Sequence, residues 1–136
     1  MVESVVRRHW PRTKIILFSF VGIAMLLALY GVFIEPNRLV LRQTAIILPA
    51  WPAEFKGLRV AVCSDLHAGS PFINLAKLRR VLEMINAAQP DLILLPRDFV
   101  IQNVLGGKFI EPETVAAELK GLKARNGVFA TLGNHD

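Results

Sequence analysis

The sequence predicts an α/β domain with the element order strand, helix, strand, helix, strand, carried behind one N-terminal membrane-spanning helix. Three observations support this. Residues 15–34 are apolar without a single charge. Three short runs rich in Val, Leu and Ile, at 58–64, 91–95 and 127–132, have the length of buried strands. Between them, 74–88 and 111–124 place apolar residues at helical spacing.

The N-terminal part comes first. Hydrophobic residues make up 53% of the 136, and the excess sits in 15–34. Twenty helical residues span about 30 Å, the thickness of a bilayer core. A core helix so uniformly apolar needs a large protein around it. A cleaved signal sequence has a shorter apolar stretch and a small-x-small site, which Leu29-Tyr30-Gly31-Val32 after Ala28 does not supply. An uncleaved anchor is therefore expected. Of the formal charge of +5, Arg7, Arg8, Arg12 and Lys14 against Glu3 place +3 within residues 1–14. After Lys14 no basic stripe interleaved with aromatics occurs, which argues against nucleic acid as a partner. Four basic residues before the helix outweigh Arg38 and Arg42 close behind it. The positive-inside rule then makes 1–14 a cytoplasmic basic tail and the chain a single-pass protein of the inner or plasma membrane, its remainder periplasmic or extracytoplasmic. Arg7-Arg8 followed by His9-Trp10-Pro11 is a poor twin-arginine signal.

Residues 35–56 alternate apolar and polar positions at Leu39, Leu41, Ile46 and Leu48 and contain Pro36, Pro49 and Pro52; they read as an extended strand followed by a linker. The domain occupies 57–136. Its first helix carries Leu75, Leu78, Leu82 and Ile85, and its second has Pro112 suited to the first turn. Strands alternating with helices imply parallel pairing through right-handed crossovers. The loop from Phe99 to Glu111 is long enough to rim a pocket, and Gly106-Gly107 suggests mobility. The lone Cys63 excludes an intrachain disulfide and a cysteine zinc site, and suits a small buried strand residue.

In open parallel sheets, ligands gather at the carboxyl ends of the strands. Asp65-Leu66-His67 comes after the first strand, Asp98 after the second, and Gly133-Asn134-His135-Asp136 after the third. Carboxylate, imidazole and amide oxygen suit divalent ions such as manganese, zinc or iron. A bridging carboxylate can hold two ions about 3.5–4 Å apart for phosphoryl transfer. Each motif alone is an ordinary turn. Three in order, each at a strand end, point to metal-assisted hydrolysis.

Ser64-Asp65-Leu66-His67, residues 90–95 leading to Asp98-Phe99-Val100, and residues 127–136 together resemble the calcineurin-like metallophosphoesterases, in particular the bacterial membrane-anchored or exported branch, over residues 57–136. The resemblance implies an αββα sandwich, of which this chain would hold the β-α-β-α-β half, and a cofactor of two divalent metal ions. It implies that Asp65 and His67 bind the first ion, that Asp98 bridges both and that Asn134 binds the second. His135 would polarise the phosphate or the leaving oxygen and Asp136 would orient His135. The implied reaction is hydrolysis of phosphomonoesters or phosphodiesters, with a phospholipid-like substrate suggested by a membrane location.

Two departures from the family pattern stand out. The family has glycine directly before the bridging aspartate, whereas this chain reads Pro96-Arg97-Asp98. Arg97 would either repel metal and impair the site or swing outward to bind substrate phosphate. The family also draws metal-binding histidines from later Gly-His and Gly-His-x-His motifs, but the histidines here are His9, His67 and His135. The expectation is thus a truncated domain with one apolar sheet face uncovered and little hydrolase activity by itself. The alternatives are a non-catalytic membrane fragment or degenerate copy, and a second polypeptide that supplies the missing half.

Overall fold

The structure, a computed structural model, describes residues 10–134. The chain divides after Arg38 into two compact units. In the first, helix α1 (Arg12–Leu29) continues through a π turn at Tyr30–Ile34 into a 3₁₀ turn at Glu35–Asn37. Together they form one apolar segment of 26 residues, Arg12–Asn37, long enough to cross a membrane and with none of its apolar window buried. The helix starts before the uncharged run because Pro11, extended at the N-cap, offers its carbonyl to Lys14 N–H at 2.9 Å and Ile15 N–H at 3.3 Å. Arg12 and Lys14 are therefore helical. At the other end Asn37 Nδ2 donates to the Phe33 carbonyl at 2.8 Å, and Arg38 Nη1 donates to the Tyr30 hydroxyl at 3.0 Å. The Asn37 bond satisfies a carbonyl that a helix end leaves without an intrahelical donor.

The strand expected within 35–56 does not form. Residues 38–48 carry no strand, and a 3₁₀ turn comes next at Ala53–Phe55. Residues 41–45 lie across a groove of about 510 Å³ from residues 58–62. Apolar alternation is compatible with a strand, but a strand also needs a partner edge within about 5 Å.

In the second unit three parallel strands, β1 (Val60–Val62), β2 (Leu92–Pro96) and β3 (Val128–Thr131), form a sheet in the order β1-β2-β3. Rows of residues run across it: Ala61 beside Ile93 beside Val128, then Val62 beside Leu94 beside Phe129. Successive rows face opposite sides. Ile93 and Leu95 face the core, which also takes Leu78, Leu82 and Ile85 from helix α2 (Leu75–Ala87) and Val115 from helix α3 (Pro112–Leu119). The other side is open: Val62 is 64% exposed and Phe129 is 59% exposed. That agrees with the expectation of an uncovered apolar face.

Local chemistry sets the ends of each element. Asn74 Oδ1 accepts from Lys77 N–H at 2.9 Å, an N-cap worth about 1 kcal/mol. Gln89, in the left-handed region at φ 49°, and then Pro90 stop α2. Helix α3 is shorter than its apolar spacing predicts, because the chain turns at Lys120 and Gly121 and buries Leu122 from outside the helix. Arg79 binds Glu118 through both carboxylate oxygens, joining α2 to α3. That bond holds Glu118 below the usual carboxylate range, so its contribution is present near neutral pH and fades as acid protonates Glu118. At the amino ends of the strands Asp91 acts as a clamp. Its carboxylate accepts from Arg59 N–H at 3.0 Å and pairs with Arg125 at 3.3 Å, while its carbonyl accepts from Asn126 N–H at 2.6 Å.

Leu78 is fully buried at the centre of this core. Leu78→Ala is expected to cost about 2–5 kcal/mol, measured as a shift in the denaturant midpoint of the detergent-solubilised chain. Glu83→Ala, on an exposed position of the same helix, is expected to stay within about 0.5 kcal/mol.

Candidate metal centre

Strand β1 ends at Val62, but its hydrogen bonding does not. Cys63 N–H donates to Leu94 O at 3.0 Å, Asp65 to Pro96 at 3.3 Å, His67 to Asp98 at 3.1 Å and Ala68 to Phe99 at 2.8 Å. A parallel bridge between Ala68 and Val100 closes the run. The segment after β1 is thereby held beside the segment after β2, with Asp65 and His67 next to Asp98. Asp65 (φ 52°), His67 (φ 43°) and Arg97 (φ 72°) all adopt left-handed backbone. Such conformations cost non-glycine residues roughly 1–2 kcal/mol each and concentrate at functional sites.

The side chains converge. Asp65, His67 and Asp98 each bring one donor atom within 4.8 Å of the other two. His67 Nε2 lies 3.9 Å from Asp98 Oδ2. Donors coordinated at about 2.1 Å lie up to about 4 Å apart around one ion, so the group needs only a small closure to hold one. Asp98 is 3% exposed, and His67 and Asp65 lie progressively nearer solvent. The donors, two carboxylates and an imidazole, fit a divalent cation of borderline or hard character. Arg97 reaches the same group from outside, its Nε 3.7 Å from Asp65 Oδ1 and its side chain 64% exposed. Its N–H donates to the Thr131 carbonyl at 3.0 Å, linking the β2 loop to β3. Cys63 is half-buried against the hydrophobic core, and burial pushes its thiol pKa up, which keeps it protonated and unreactive.

Of the residues singled out from sequence, Asp65, His67 and Asp98 are brought together. Asn134 is exposed and comes directly after Gly133 in the chain. His135 and Asp136 lie outside the described residues. The rim loop is tied to the segment that follows His67. Lys108 N–H donates to Gly69 O at 2.7 Å, and a Cβ at Gly107 would sit 2.6 Å from that same oxygen. Thr131 and Gly69 carried no sequence signal, since a threonine in a strand and a glycine in a loop are ordinary.

A family model described as calcineurin-like phosphoesterase matches residues 58–136. Among curated proteins the chain is 36% identical to the UDP-2,3-diacylglucosamine pyrophosphatase LpxG of Chlamydia trachomatis, over 76% of this chain and 30% of that protein. It is 30% identical to a transmembrane protein with metallophosphoesterase domain of Danio rerio, over 84% of this chain and 25% of the relative. It is also 30% identical to the uncharacterized metallophosphoesterase YkuE of Bacillus subtilis, over 79% of this chain and 36% of the relative. The chain thus spans about a quarter to a third of the length of these relatives. No solved structure matches.

Gly133 shapes the centre from the third strand. A Cβ there would overlap Asp98 Oδ1 and lie 2.6 Å from Asp98 Cγ and 2.7 Å from Asp98 N. Only glycine lets the backbone pass so close to the carboxylate. Gly133→Ala is expected to cost about 1–3 kcal/mol by overpacking. In a double-mutant cycle with Asp98→Ala the two costs should fall short of additive, because the second change removes two of the three obstructing atoms. Additive costs would show that the contact is absent.

Proposed function

This chain belongs to the calcineurin-like phosphoesterase family, and on that premise we propose that it carries part of a metal-dependent phosphoester-hydrolysing site tethered to a membrane. The observation that carries the reading is the convergence of Asp65, His67 and Asp98 at the carboxyl ends of neighbouring parallel strands. Asp65 and His67 would hold one divalent ion, Asp98 would contribute to both ion sites, and Asn134 would serve the second. When bound, such ions polarise phosphoryl oxygens and lower the pKa of water. The protein's own part is positioning. The run-on ladder fixes Asp65 and His67 against Asp98, and Gly133 leaves room for the Asp98 carboxylate. His135 polarises the phosphate or leaving oxygen, and Asp136 orients it. Manganese, zinc and iron all suit the donor set.

Membrane tethering rests on Arg12–Asn37. Arg7, Arg8, Arg12 and Lys14, ahead of the uncharged run 15–34, outnumber Arg38 and Arg42 behind it and favour a cytoplasmic N-terminus, with residues 57–136 then extracytoplasmic. The Chlamydia relative is named for a diacylated sugar nucleotide substrate. Together with a membrane location, that name supports a lipid-linked phosphoester as the substrate of the whole protein.

Arg97 favours a second reading, a degenerate copy that no longer turns over. Magnitudes weigh against it. An exposed ion pair such as Arg97–Asp65 is worth about 0–1 kcal/mol, whereas an ion bound with micromolar affinity is held by about 8 kcal/mol. Arg97 therefore weakens loading without blocking it. Its φ of 72° also accounts for the family glycine, since glycine adopts that backbone without strain.

Two substitutions test this. Asp98→Ala is expected to weaken manganese binding at least tenfold, monitored by the electron paramagnetic resonance signal of free manganese, and to abolish any manganese-dependent hydrolysis of bis-p-nitrophenyl phosphate. Arg97→Gly is expected to tighten manganese binding by up to about fivefold without loss of thermal stability. Manganese uptake indifferent to Asp98→Ala would sink the metal reading. Tight uptake with no turnover in a protein as long as its relatives would favour the degenerate copy.

A further inference from the structure

We propose that residues 46–55 form an interfacial foot that rests in the headgroup region of a phospholipid bilayer; this relies on the reading that residues 12–37 cross that bilayer. No charged residue occurs from Thr44 to Ala53. Within and beside that stretch Ile46 is 76% exposed, Ile47 93%, Leu48 49%, Trp51 48% and Phe55 45%. None of the five belongs to the core or packs against it. Exposed apolar side chains this closely grouped mark a contact surface.

The foot is folded in a way that suits lipid. Ala50 turns the chain at φ 60°, Trp51 N–H donates to Leu48 O at 3.4 Å, and Ala53–Phe55 form a 3₁₀ turn. The Trp51 and Phe55 rings are 5.7 Å apart between centroids. Trp51 Nε1–H donates to the Phe55 carbonyl at 3.1 Å. The indole N–H and a turn carbonyl therefore satisfy each other, which removes a main cost of taking them out of water. Arg42 and Lys56 flank the stretch, and Glu54 is the one acid between residues 39 and 58. Apolar tips bordered by cations fit the boundary between acyl chains and phosphates.

Chain length supplies the occupant. Asn37 ends the span and Ile46 lies nine residues on, a reach of at most about 30 Å. A patch so tethered meets the bilayer at a high effective concentration. A partner in solution has no such advantage.

The test uses the full chain reconstituted in vesicles of phosphatidylcholine and phosphatidylglycerol. The chain has two tryptophans, Trp10 and Trp51, so Trp10→Phe leaves Trp51 as the reporter and Trp51→Phe leaves Trp10. Trp51 emission is expected to be blue-shifted and to lose most of its intensity when lipids brominated near the glycerol end of their acyl chains are used, and to lose less with bromines near the methyl end. Adding Ile46→Ser and Ile47→Ser, at side chains outside the core, is expected to shift the emission to the red and remove most of the quenching. A red, unquenched Trp51 beside a quenched Trp10 overturns the foot and leaves the span standing. Neither tryptophan quenched overturns foot and span together. A blue, unquenched Trp51 whose emission depends on protein-to-lipid ratio means a second copy covers the patch, and also overturns the proposal.

Discussion

Between Cys63 and Ala68 the backbone keeps donating to the carbonyls of Leu94, Pro96, Asp98 and Phe99 after β1 has ended, and the geometry of the centre depends on this run. A loop tied at one end would leave Asp65 and His67 free to sample many positions. Tied at residues 63, 65, 67 and 68 to the segment that carries Asp98, they share its frame. The ladder continues although the side chains no longer alternate as in a strand, because Asp65 and His67 take left-handed backbone while their N–H groups stay in register. The local strain, roughly 1–2 kcal/mol per residue, is offset by bonds worth about 1 kcal/mol each and by the burial of Leu66 between Asp65 and His67 and of Ala68 directly after them.

Asp98 sets the electrostatic problem. An ionised carboxylate taken out of water is costly unless charge or hydrogen bonds surround it. Here it is 3% exposed, with His67 3.9 Å away and Gly133 pressed against it. The neighbouring cation, Arg97, leans toward Asp65 at the solvent side. The arrangement thus separates two carboxylates by environment, one enclosed and shaped by backbone, the other exposed and loosely paired. A cation entering from solvent meets Asp65 first and Asp98 last, and Arg97 stands beside the entrance.

Much of this was legible in the residues. The five elements of the domain, their order and the approach of Asp65, His67 and Asp98 come from period, length and the rule that parallel strands deliver ligands at their carboxyl ends. What was not legible depended on pairing or on backbone angle. Residues 38–48 have the alternation of a strand, yet residues 41–45 stay across a groove from β1 and do not pair with its free edge, and alternation does not report whether a pair forms. At Gly107 the loop packs on Gly69 so closely that a side chain would not fit, a contact that a Gly-Gly pair in the sequence does not report. Arg97 stood out as a foreign residue, but only its φ of 72° explains why glycine belongs there. Asp91, in a run that looked merely strand-like, ties together the amino ends of the sheet through Arg59, Arg125 and Asn126.

Beyond the apolar span Arg12–Asn37, the described residues present an open sheet face and an apolar turn, and their chemistry assigns them different neighbours. The open face of the sheet is a flat layer in which Val62, Leu94 and Phe129 stand in one row. Its outer strands β1 and β3 each have only β2 as a sheet partner among the described residues, so unpaired N–H and C=O groups line the sheet's edges. Hydrocarbon cannot satisfy such groups, whereas another protein layer, packed about 10 Å away, covers the side chains and leaves the edges to pairing or water. The turn from Leu48 to Phe55 is the reverse case. It is small and convex, and its indole N–H is satisfied within the turn itself. Apolar exposure alone would treat the two surfaces alike; the hydrogen-bond inventory around each separates a face suited to protein from a foot suited to lipid.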